Sequence, residues 1–472
     1  MKAKNILFAS LLAAVAITAT GCDGATDSKQ GITEDKIYIG NTAATSGAFA
    51  AVGEPFNIGL NAALKVYNDA GGFGGKKVEL KHYDDNFNAE QGLTYTEKLV
   101  EEDQVFALVG HFGTPTVGAT VDYIVDKGIP MVYAATGVSA LYNPEAKGNE
   151  KAVMSVQPIY NAEGAVLLAR AAATTEGNLG LGGKKIGVIS TTDEAGTGLL
   201  LGIQEQAAKL PKELRDNMKF VTTDATTGTN HSTAVTALKN HGCDVVIIAA
   251  NQAPFEEILN YFKTTGYDNV KTITSYVSAN TALAAKLYAS ETLTATRTAY
   301  TTAWLDITSS TYVYKPAETN AIGTLLWQSY KNLVPLLYDN GVPGFSEEYW
   351  VAAEAIYAYA LNPADVASYA TAFQMSYNSY ALAGYIAGET FLTGLRRVAA
   401  DEKDLSWKTF IKAMEQEEVD IPMGGGVDFS DGKRVGIQDL ALNKMGPGLL
   451  GTGELEVYSP ITKIDTVMEG VK

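Results

Sequence analysis

Val105-Phe-Ala-Leu-Val-Gly-His-Phe-Gly-Thr-Pro-Thr116 is a short apolar run followed by a loop of glycine and hydroxyl residues. Such a run predicts a strand buried on both faces, which is typical of a parallel sheet covered by helices. Lys36 to Gly40 and Pro130 to Tyr133 predict two more strands, and helical spacing occurs between strands, as at Thr116 to Asp126. This alternation predicts an α/β fold built from βαβ units.

The same pattern begins again after a Thr- and Gly-rich loop at 174–183. Four runs predict the strands of a second parallel sheet: Lys185 to Ser190, Lys219 to Thr222, Asp244 to Ala250 and Lys271 to Ser275. A chain of 472 residues is long for one hydrophobic core and suits two. We therefore expect two doubly wound, Rossmann-like lobes that bind ligands at the carboxyl ends of their strands. Cys243 is expected to be a small core residue.

The N-terminal segment, residues 1–21, predicts a secretory signal. A short basic region precedes an apolar run from Ile6 to Ile17, and small residues then lead to Cys22. This order is typical of a cleaved signal, and the run is too short for a comfortable membrane span. The small residues resemble a bacterial lipobox, which implies a lipid anchor on Cys22 and a flexible tether at 22–30. An ordinary signal peptide with an incidental cysteine is the alternative.

Charge and motif content argue against several functions. The chain has 53 acidic and 36 basic residues, a net charge of −17, whereas nucleic-acid binding needs basic surfaces. Its four histidines lack metal-ligand spacing, and neither a G-x-S-x-G elbow nor a Walker A loop occurs. The carboxylates of Asp84-Asp85 and Glu101-Glu102-Asp103 are expected to be solvated surface groups. We expect no enzyme activity, no cofactor and no metal.

Residues 310–363 are rich in tyrosine and tryptophan. Helical spacing of these rings predicts packing, and an aromatic sugar-binding platform is the alternative. The rings are those of Trp327, Tyr330, Tyr338, Tyr349, Trp350, Tyr357 and Tyr359. An apolar helix is predicted after them, at Tyr377 to Val398.

The predicted strands end in loops that carry small hydroxyl and glycine residues. Ser46 follows the first strand, Thr114 precedes a predicted helix, and Thr136 follows the strand that begins at Pro130. Hydroxyls and free backbone N–H groups at a helix N-terminus form a set of donors suited to a carboxylate or carbonyl. Thr114 and Thr116 are also expected to cap that helix, a role compatible with binding.

In their order along the chain, several motifs resemble those of the branched-chain amino-acid binding family, the type I periplasmic binding proteins. They are T-A-A-T-S-G at 42–47, N-D-A-G-G-F-G-G-K-K-V-E-L at 68–80, L-V-G-H-F-G-T-P-T at 108–116, Y-A-A-T-G at 133–137 and Y-N-S-Y-A-L-A-G-Y-I-A-G at 377–388. The resemblance implies two lobes joined by a hinge of three strands. It places lobe 1 at 31–155 and 300–422 and lobe 2 at 156–299 and 423–472, with 310–363 as an elaboration of lobe 1.

The resemblance also implies that lobe 1 holds the carboxylate of a ligand. Its first loop would supply a hydroxyl, for which Ser46 is the candidate. Thr114, Ala134 and Thr136 match the family positions in the next two loops, and the backbone at Ala135 belongs to the same group.

Lobe 2 departs from the family pattern where an ammonium group is bound. Asn251 or Gln252 stands where the family places a tyrosine, and Tyr276 lies where an acidic residue is expected. A buried ammonium needs a carboxylate or an aromatic face. Tyr276, or Asp193 and Glu194, are the candidates for that partner. Otherwise the ligand is a carboxylate, amide or aromatic acid without an ammonium group.

The function implied by the resemblance is that of an exported solute-binding protein. It would deliver a small amino acid, carboxylate or amide to the permease of an ABC importer. Its expected location is the periplasm or the outer face of the cell membrane, with the lipid on Cys22 as the anchor. A receptor that passes ligand occupancy to a signalling partner is one alternative, and an exported enzyme is another.

Overall fold

The computed structural model describes most of the chain: residues 27–226, 228–279, 281–305, 331–333, 335–336, 339–340, 346–447 and 453–471. The expected signal segment, Cys22 and the rings of Trp327, Tyr330 and Tyr338 lie outside these residues. In the described part, no helix combines the length and the apolar character needed to cross a lipid bilayer.

A five-stranded, wholly parallel sheet forms the first unit. Its strands are β1 (Lys36–Ala43), β2 (Lys77–Asp84), β3 (Ala107–Val109), β4 (Met131–Val132) and β5 (Val153–Met154), in the spatial order β2-β1-β3-β4-β5. The helices between them are α1 (Ala50–Asp69), α2 (Ala89–Glu101) and α3 (Thr114–Lys127). The run from Val105 to Val109 is fully buried, and β3 is the central strand, as the apolar sequence predicts.

Local sequence explains where these helices begin and end. Asn88 caps α2, because its side-chain oxygen accepts a hydrogen bond from the backbone N–H of Gln91 at 3.0 Å. Helix α3 ends at Gly128, whose φ of 71° is a left-handed conformation that glycine adopts without steric cost. Because β1, β3 and β4 are parallel, the loops that follow them all lie at the carboxyl edge of the sheet.

A seven-stranded mixed sheet forms the second unit. Its parallel strands are β6 (Ile186–Thr191), β7 (Lys219–Thr223), β8 (Val245–Ala249), β9 (Val270–Thr274) and β10 (Arg297–Ala303), in the order β10-β9-β8-β6-β7. Two antiparallel strands, β13 (Asp439–Gly446) and β14 (Glu454–Lys463), extend this sheet beyond β10. A separate two-stranded antiparallel sheet consists of β11 (Val419–Asp420) and β12 (Gly426–Val427). Its helices are α4 (Tyr160–Ala172), α5 (Glu194–Ala207), α6 (Lys212–Asp216), α7 (Ser232–His241), α8 (Gln252–Thr264) and α9 (Thr281–Ala289). The sequence predicted β6 to β9 but not the strands after them.

The C-terminal helices complete the first unit. They are α10 (Glu347–Ala360), α11 (Val366–Ser376), α12 (Ser379–Ala400) and α13 (Trp407–Met414); a last helix, α14 (Ile464–Glu469), lies beside α4. Helix α12 packs directly on α1: a Cβ atom at Gly59 would lie 1.7 Å from the Ala381 carbonyl oxygen, and one at Gly384 1.8 Å from that of Phe56. Both positions therefore require glycine. The helix predicted from Tyr377 is confirmed as α12.

Two of the aromatic residues between 346 and 363 are core residues. Tyr349 and Tyr357 on α10 are buried, whereas Tyr359 is 40% exposed. Packing, rather than a binding platform, is the role of the two buried rings. Cys243 is also buried, as expected for a small core residue.

The chain passes between the two units three times: between β5 and α4, after β10, and between β12 and β13. Two of these passages lie side by side, since the N–H of Ile437 donates to the carbonyl of Val156 at 2.9 Å. The passage after β10 forms an isolated antiparallel β-bridge, between Leu305 and Gly424. The protein thus has two doubly wound α/β lobes joined by a hinge of three strands, as predicted.

Arg434 is fully buried in this hinge and ties the third passage to the first. Its Nη2 donates to the Lys151 carbonyl and to the Glu415 carboxylate, both at 2.7 Å. Burial lowers the pKa of the guanidinium, and the hydrogen bond with Glu415 opposes that shift. Loss of Glu415 would leave the buried guanidinium without a carboxylate partner, and loss of Arg434 would leave Glu415 with only the Lys151 ammonium, at 3.3 Å.

Candidate functional site

Two threonine hydroxyls meet at the carboxyl edge of the first sheet. Thr114 is the first residue of α3, and Thr136 lies in the loop after β4. Their Oγ1 atoms are 2.9 Å apart, which is a hydrogen-bond distance. The first turn of an α-helix leaves backbone N–H groups free, so donors of two kinds occur together here.

Thr116 anchors α3 rather than capping it. The residue before the helix is Gly113, which has no capping side chain, and Thr116 Oγ1 donates to Asp85 Oδ2 at 2.8 Å. Asp85 is fully buried and also accepts a hydrogen bond from Thr42 Oγ1 at 2.8 Å. The expectations that Thr114 and Thr116 cap the helix and that Asp85 is solvated are therefore wrong. A buried carboxylate needs such donors, and here they fix the start of α3 against β1.

The loop after β4 contains Ala134 and Ala135. It begins at Tyr133, whose φ of 60° is uncommon for a residue with a side chain. The N–H of Ala135 donates to the His111 carbonyl at 2.7 Å, and Ala135 forms an isolated bridge with Phe112. The loop is thereby held against the segment that leads into α3, and Ala134 is buried.

Tyr160, the first residue of α4, reaches the same two hydroxyls. Its side chain is 3% exposed and interacts with Thr114 and Thr136. Its backbone N–H donates to the Gly137 carbonyl at 2.8 Å. Sequence reasoning did not select Tyr160. One signal was available. Tyr160 comes shortly after residue 155, the expected end of the first segment of lobe 1, and a side chain at such a crossing can face both lobes.

Asp193 lies at the carboxyl edge of the second sheet and caps α5. Its Oδ1 accepts hydrogen bonds from the Gly196 N–H at 3.1 Å and from Thr191 Oγ1 at 2.5 Å. Its Oδ2 accepts one from the Asn251 amide at 3.0 Å. The negative charge of Asp193 also contributes, as the smallest of several causes after burial, to the raised pKa of the Tyr160 phenol.

Gln252 and Ser46 lie further from this group. Gln252 is the first residue of α8 and is half-buried, and its neighbour Asn251 makes the contact with Asp193. Ser46 is exposed after β1, where its side chain interacts with Asp84. In the described part of the chain, neither Gln252 nor Ser46 hydrogen-bonds to the threonine pair.

Tyr276 follows β9 and packs against the core of the first lobe. Its hydroxyl donates to Gln157 Oε1 at 3.4 Å, and the Gln157 amide donates to the Tyr133 hydroxyl at 3.1 Å. Burial raises the pKa of both phenols, so both rings are neutral at physiological pH. Tyr276 therefore offers a neutral aromatic surface between the lobes.

His111 supports the first lobe as a neutral side chain. It is fully buried, and desolvation lowers its pKa to about 4. Its Nε2 lies 3.2 Å from the hydroxyls of both Thr96 and Thr120. Among the residues that the structure describes, no group of three or more His, Cys, Asp or Glu side chains is arranged to hold a metal ion.

Two doubly wound lobes with polar loops facing each other define a solute-binding protein of the type I architecture. The family model for periplasmic binding proteins matches residues 36–312, well over half of the chain. The chain belongs to this family. It is therefore a solute-binding protein of the periplasmic type, and not an enzyme.

Individual relatives agree with this assignment. An amino acid binding protein of Pseudomonas aeruginosa is 27% identical over 182 residues, which cover 37% of this chain and 44% of the relative. The match thus spans less than half of the relative's length.

Solved structures share the fold. A fatty acid ABC transporter substrate-binding protein from Thermomonospora curvata has a TM-score of 0.62 at 16% identity, covering 93% of this chain and 96% of its own. An ABC transporter substrate-binding protein from Desulfitobacterium hafniense, in complex with Leu, has a TM-score of 0.57 at 19% identity, covering 90% and 100%.

Proposed function

We propose that this protein captures a small amino acid, or a related carboxylate or amide, between its lobes and delivers it to the permease of an ABC importer. The Pseudomonas relative is described as an amino acid binding protein, and the Desulfitobacterium structure contains Leu, which supports this ligand class. The proposed lobes are 31–155 with 300–422, and 156–299 with 423–472. Strand β10 continues to Ala303 in the second sheet and Phe429 belongs to the first core, so two passages lie a few residues beyond these boundaries.

The observation that carries the proposal is the 2.9 Å contact between the hydroxyls of Thr114 and Thr136 at the start of α3. A helix N-terminus has free N–H groups and the positive end of the helix dipole, so it stabilises a negative group. The hydroxyls, together with the Tyr160 phenol, supply donors that can rotate toward a ligand. Such neutral donors suit a carboxylate or an amide carbonyl.

Asp193 is the proposed partner of an ammonium or amide N–H group. Its Oδ2 accepts one hydrogen bond, from Asn251, and a carboxylate oxygen has the capacity for a second. Tyr276 adds an aromatic face, which attracts a cation. The two ends of an amino acid would thus be bound by different lobes.

Closure of the lobes is the proposed mechanism. The ligand first meets the hydroxyls of Thr114 and Thr136, and lobe 2 then swings over it. Closure removes water from the polar contacts, which strengthens them because the local dielectric constant falls. Only the closed protein presents one continuous surface of both lobes to the permease.

A lipid on Cys22 is the proposed membrane anchor, with 22–30 as the tether. Each buried methylene contributes about 0.8 kcal/mol, so two or more acyl chains anchor a protein stably. Cells fed labelled palmitate should label the wild type in the membrane fraction, and Cys22→Ser should abolish the label. Labelled Cys22→Ser protein would contradict the anchor.

Ligand binding is tested with the mature chain and matched compound pairs: L-leucine with 4-methylpentanoate, and L-phenylalanine with 3-phenylpropanoate, each with its amide. A compound at about 100 times its Kd stabilises the folded state by roughly 2.7 kcal/mol, which thermal shift detects. Binding of at least one compound, confirmed by calorimetry, supports the proposal. Absence of binding across all pairs by both methods would overturn the ligand class.

A further inference from the structure

Glu163 lies one turn after Tyr160 on α4, and its carboxylate is fully buried. Three donors from other elements converge on it. Ser275 Oγ donates to Oε2 at 2.6 Å, the backbone N–H of Tyr276 donates to Oε1 at 2.8 Å, and the Thr302 hydroxyl also donates to Oε1. One carboxylate thus joins α4 to the turn after β9 and to the end of β10.

This contact fixes the backbone from which the Tyr276 ring extends. Ser275 and Tyr276 follow β9 directly, in a single helical turn whose cap is the Ser275 hydroxyl. Because the N–H of Tyr276 has Glu163 as its partner, the place of the turn depends on α4. The same first turn of α4 carries Tyr160, which reaches the threonine pair of lobe 1.

We propose that Glu163 is a positioning residue of the ligand site: its carboxylate holds Tyr276 between the lobes and couples that ring to Tyr160. Glu163 itself does not touch the ligand. Loss of its negative charge releases the turn and moves the ring. The inference rests on the proposed function in one respect, that Tyr276 faces the ligand, but the position of the ring is measurable without a ligand.

Burial makes the charge of Glu163 sensitive to pH. Desolvation raises its pKa to about 7, and the hydrogen bonds from Ser275, Thr302 and the N–H of Tyr276 oppose that shift. Protonation removes the negative charge and converts one acceptor oxygen into a donor, so the hydrogen bonds from Ser275, Thr302 and the Tyr276 N–H weaken. The turn that carries Tyr276 therefore loosens as the pH falls through this value.

The groups around Glu163 do not account for a transition near neutral pH. The titratable ones are Tyr160 on α4, Tyr276 after β9, Tyr133 after β4, which acts on Tyr276, and Asp193 before α5, which acts on Tyr160. Burial raises the pKa of all three phenols. Strand β10 contributes Thr302, which does not titrate, and Glu163 forms no ion pair within the described residues.

The test is an NMR titration of the ligand-free mature chain with 13C in the tyrosine rings. The Tyr276 resonance is identified by its loss in Tyr276→Phe. In the wild type we expect it to shift between roughly pH 5.5 and 8.5, with a midpoint near the pKa of Glu163, about 7. In Glu163→Gln we expect a resonance that does not change with pH and lies near the low-pH position of the wild type.

Glu205→Gln is the matched control, because Glu205 is an exposed glutamate on α5 and its variant should titrate like the wild type. Two results would overturn the proposal. One is a Tyr276 resonance in the wild type that does not shift with pH, and the other is a resonance in Glu163→Gln that shifts with the same midpoint as in the wild type. If Glu163→Gln does not fold, Thr302→Val takes its place: removal of this donor should raise the midpoint, and an unchanged midpoint overturns the proposal. No ligand is present in this measurement, so a failure of the ligand panel is a separate result.

Discussion

Gly198 on α5 lies so close to Ser139 of the other lobe that a Cβ atom at position 198 would be 2.5 Å from the Ser139 Oγ. The same atom would lie 3.0 Å from the Cβ of Tyr160. The Ser139 Oγ is buried and has no hydrogen-bond partner among the described residues. The two lobes therefore approach each other at a point where only a hydrogen atom fits.

A side chain at Gly198 should hold the lobes apart. Overpacking of this kind costs about 1–3 kcal/mol, so Gly198→Val should weaken ligand binding about tenfold or more and enlarge the radius of gyration of the liganded protein. Calorimetry and small-angle scattering measure the two effects. Gly118→Val on α3 is the control, since its Cβ would meet only Val138, at 3.9 Å. Equal behaviour of the two variants would refute this contact between the lobes.

The threonine pair should contribute to affinity but little to folding. A hydrogen bond contributes about 1 kcal/mol, and more to a charged group, so Thr114→Ala and Thr136→Ala should each weaken binding of an acid about tenfold. Their effects should not be additive, because the two hydroxyls touch. Thr393→Ala, which removes a hydroxyl that bonds only to its own helix α12, is the control. Unchanged affinity in the double variant would contradict the site.

Asp193 should matter most for ligands that carry an amine. Asp193→Asn should weaken binding of an amino acid at least tenfold more than that of its des-amino analogue, because only the former presents a charge to the carboxylate. Asparagine can still cap α5 through its side-chain oxygen, so the stability should change by less than about 1 kcal/mol. Asp365→Asn makes the same exchange at the cap of α11 and serves as the stability control. An equal loss for both compounds would assign Asp193 a structural role alone.

Glu163 should give the folded state a characteristic pH dependence. Its folded pKa, about 7, lies above the ordinary value of 4.5, so the folded state binds more protons between these values. The resulting stability is fully present below pH 4.5 and is lost as the pH rises through 7. The full difference is about 3 kcal/mol. In urea unfolding, the free energy of unfolding of the wild type should rise relative to that of Glu163→Gln as the pH falls from 8 to 5. Parallel plots of this free energy against pH for the two proteins would contradict the prediction.

Arg434 should be indispensable to the hinge. Arg434→Met removes the hydrogen bonds from the guanidinium to Glu415 and to the carbonyls of Lys151, Phe429 and Lys433. Glu415 keeps the Lys151 ammonium at 3.3 Å, so the variant should destabilise the protein by about 3 kcal/mol. Arg396→Met is the control, because the Arg396–Glu389 pair is partly exposed and should contribute less than about 1 kcal/mol. Urea midpoints compare the variants. Similar midpoints would show that the passages are held together by other contacts.

Sequence predicted the strands that are apolar along their whole length. The run at Val105 and the run at Asp244 were recognisable because both faces of those strands are covered. Strand β10 was missed, since Arg297 to Ala303 contains three threonines and reads as a polar surface. Thr301 and Thr302 are nevertheless fully buried, because their hydroxyls bond to Ser275 and Glu163. Such partners lie too far along the chain for a local pattern to reveal.

Part of the candidate site followed from strand order alone. Thr114 and Thr136 lie in the segments that follow the neighbouring parallel strands β3 and β4, so both are at the same edge of the sheet. Tyr160 and Glu163 did not follow, because their role depends on how the hinge passages bring α4 between the lobes. Asp85 was judged a surface residue for a related reason: its donors come from β1 and α3, and a pair of adjacent carboxylates gives no sign of them.

The close packing of α1 on α12 has a consequence for biogenesis. Strands β6 to β10 are consecutive in the chain and can pair as soon as they leave the export channel. Helix α1, by contrast, packs on α12, which lies more than 300 residues further along the chain. Contacts between such distant segments form late, because a long loop must close first. The lobe that carries Thr114 therefore needs α12 before it is complete, and the second lobe needs the still later strands β13 and β14. Until α12 is in place, the glycine-lined face of α1 lacks the helix that covers it in the folded protein, and such exposed surface favours aggregation.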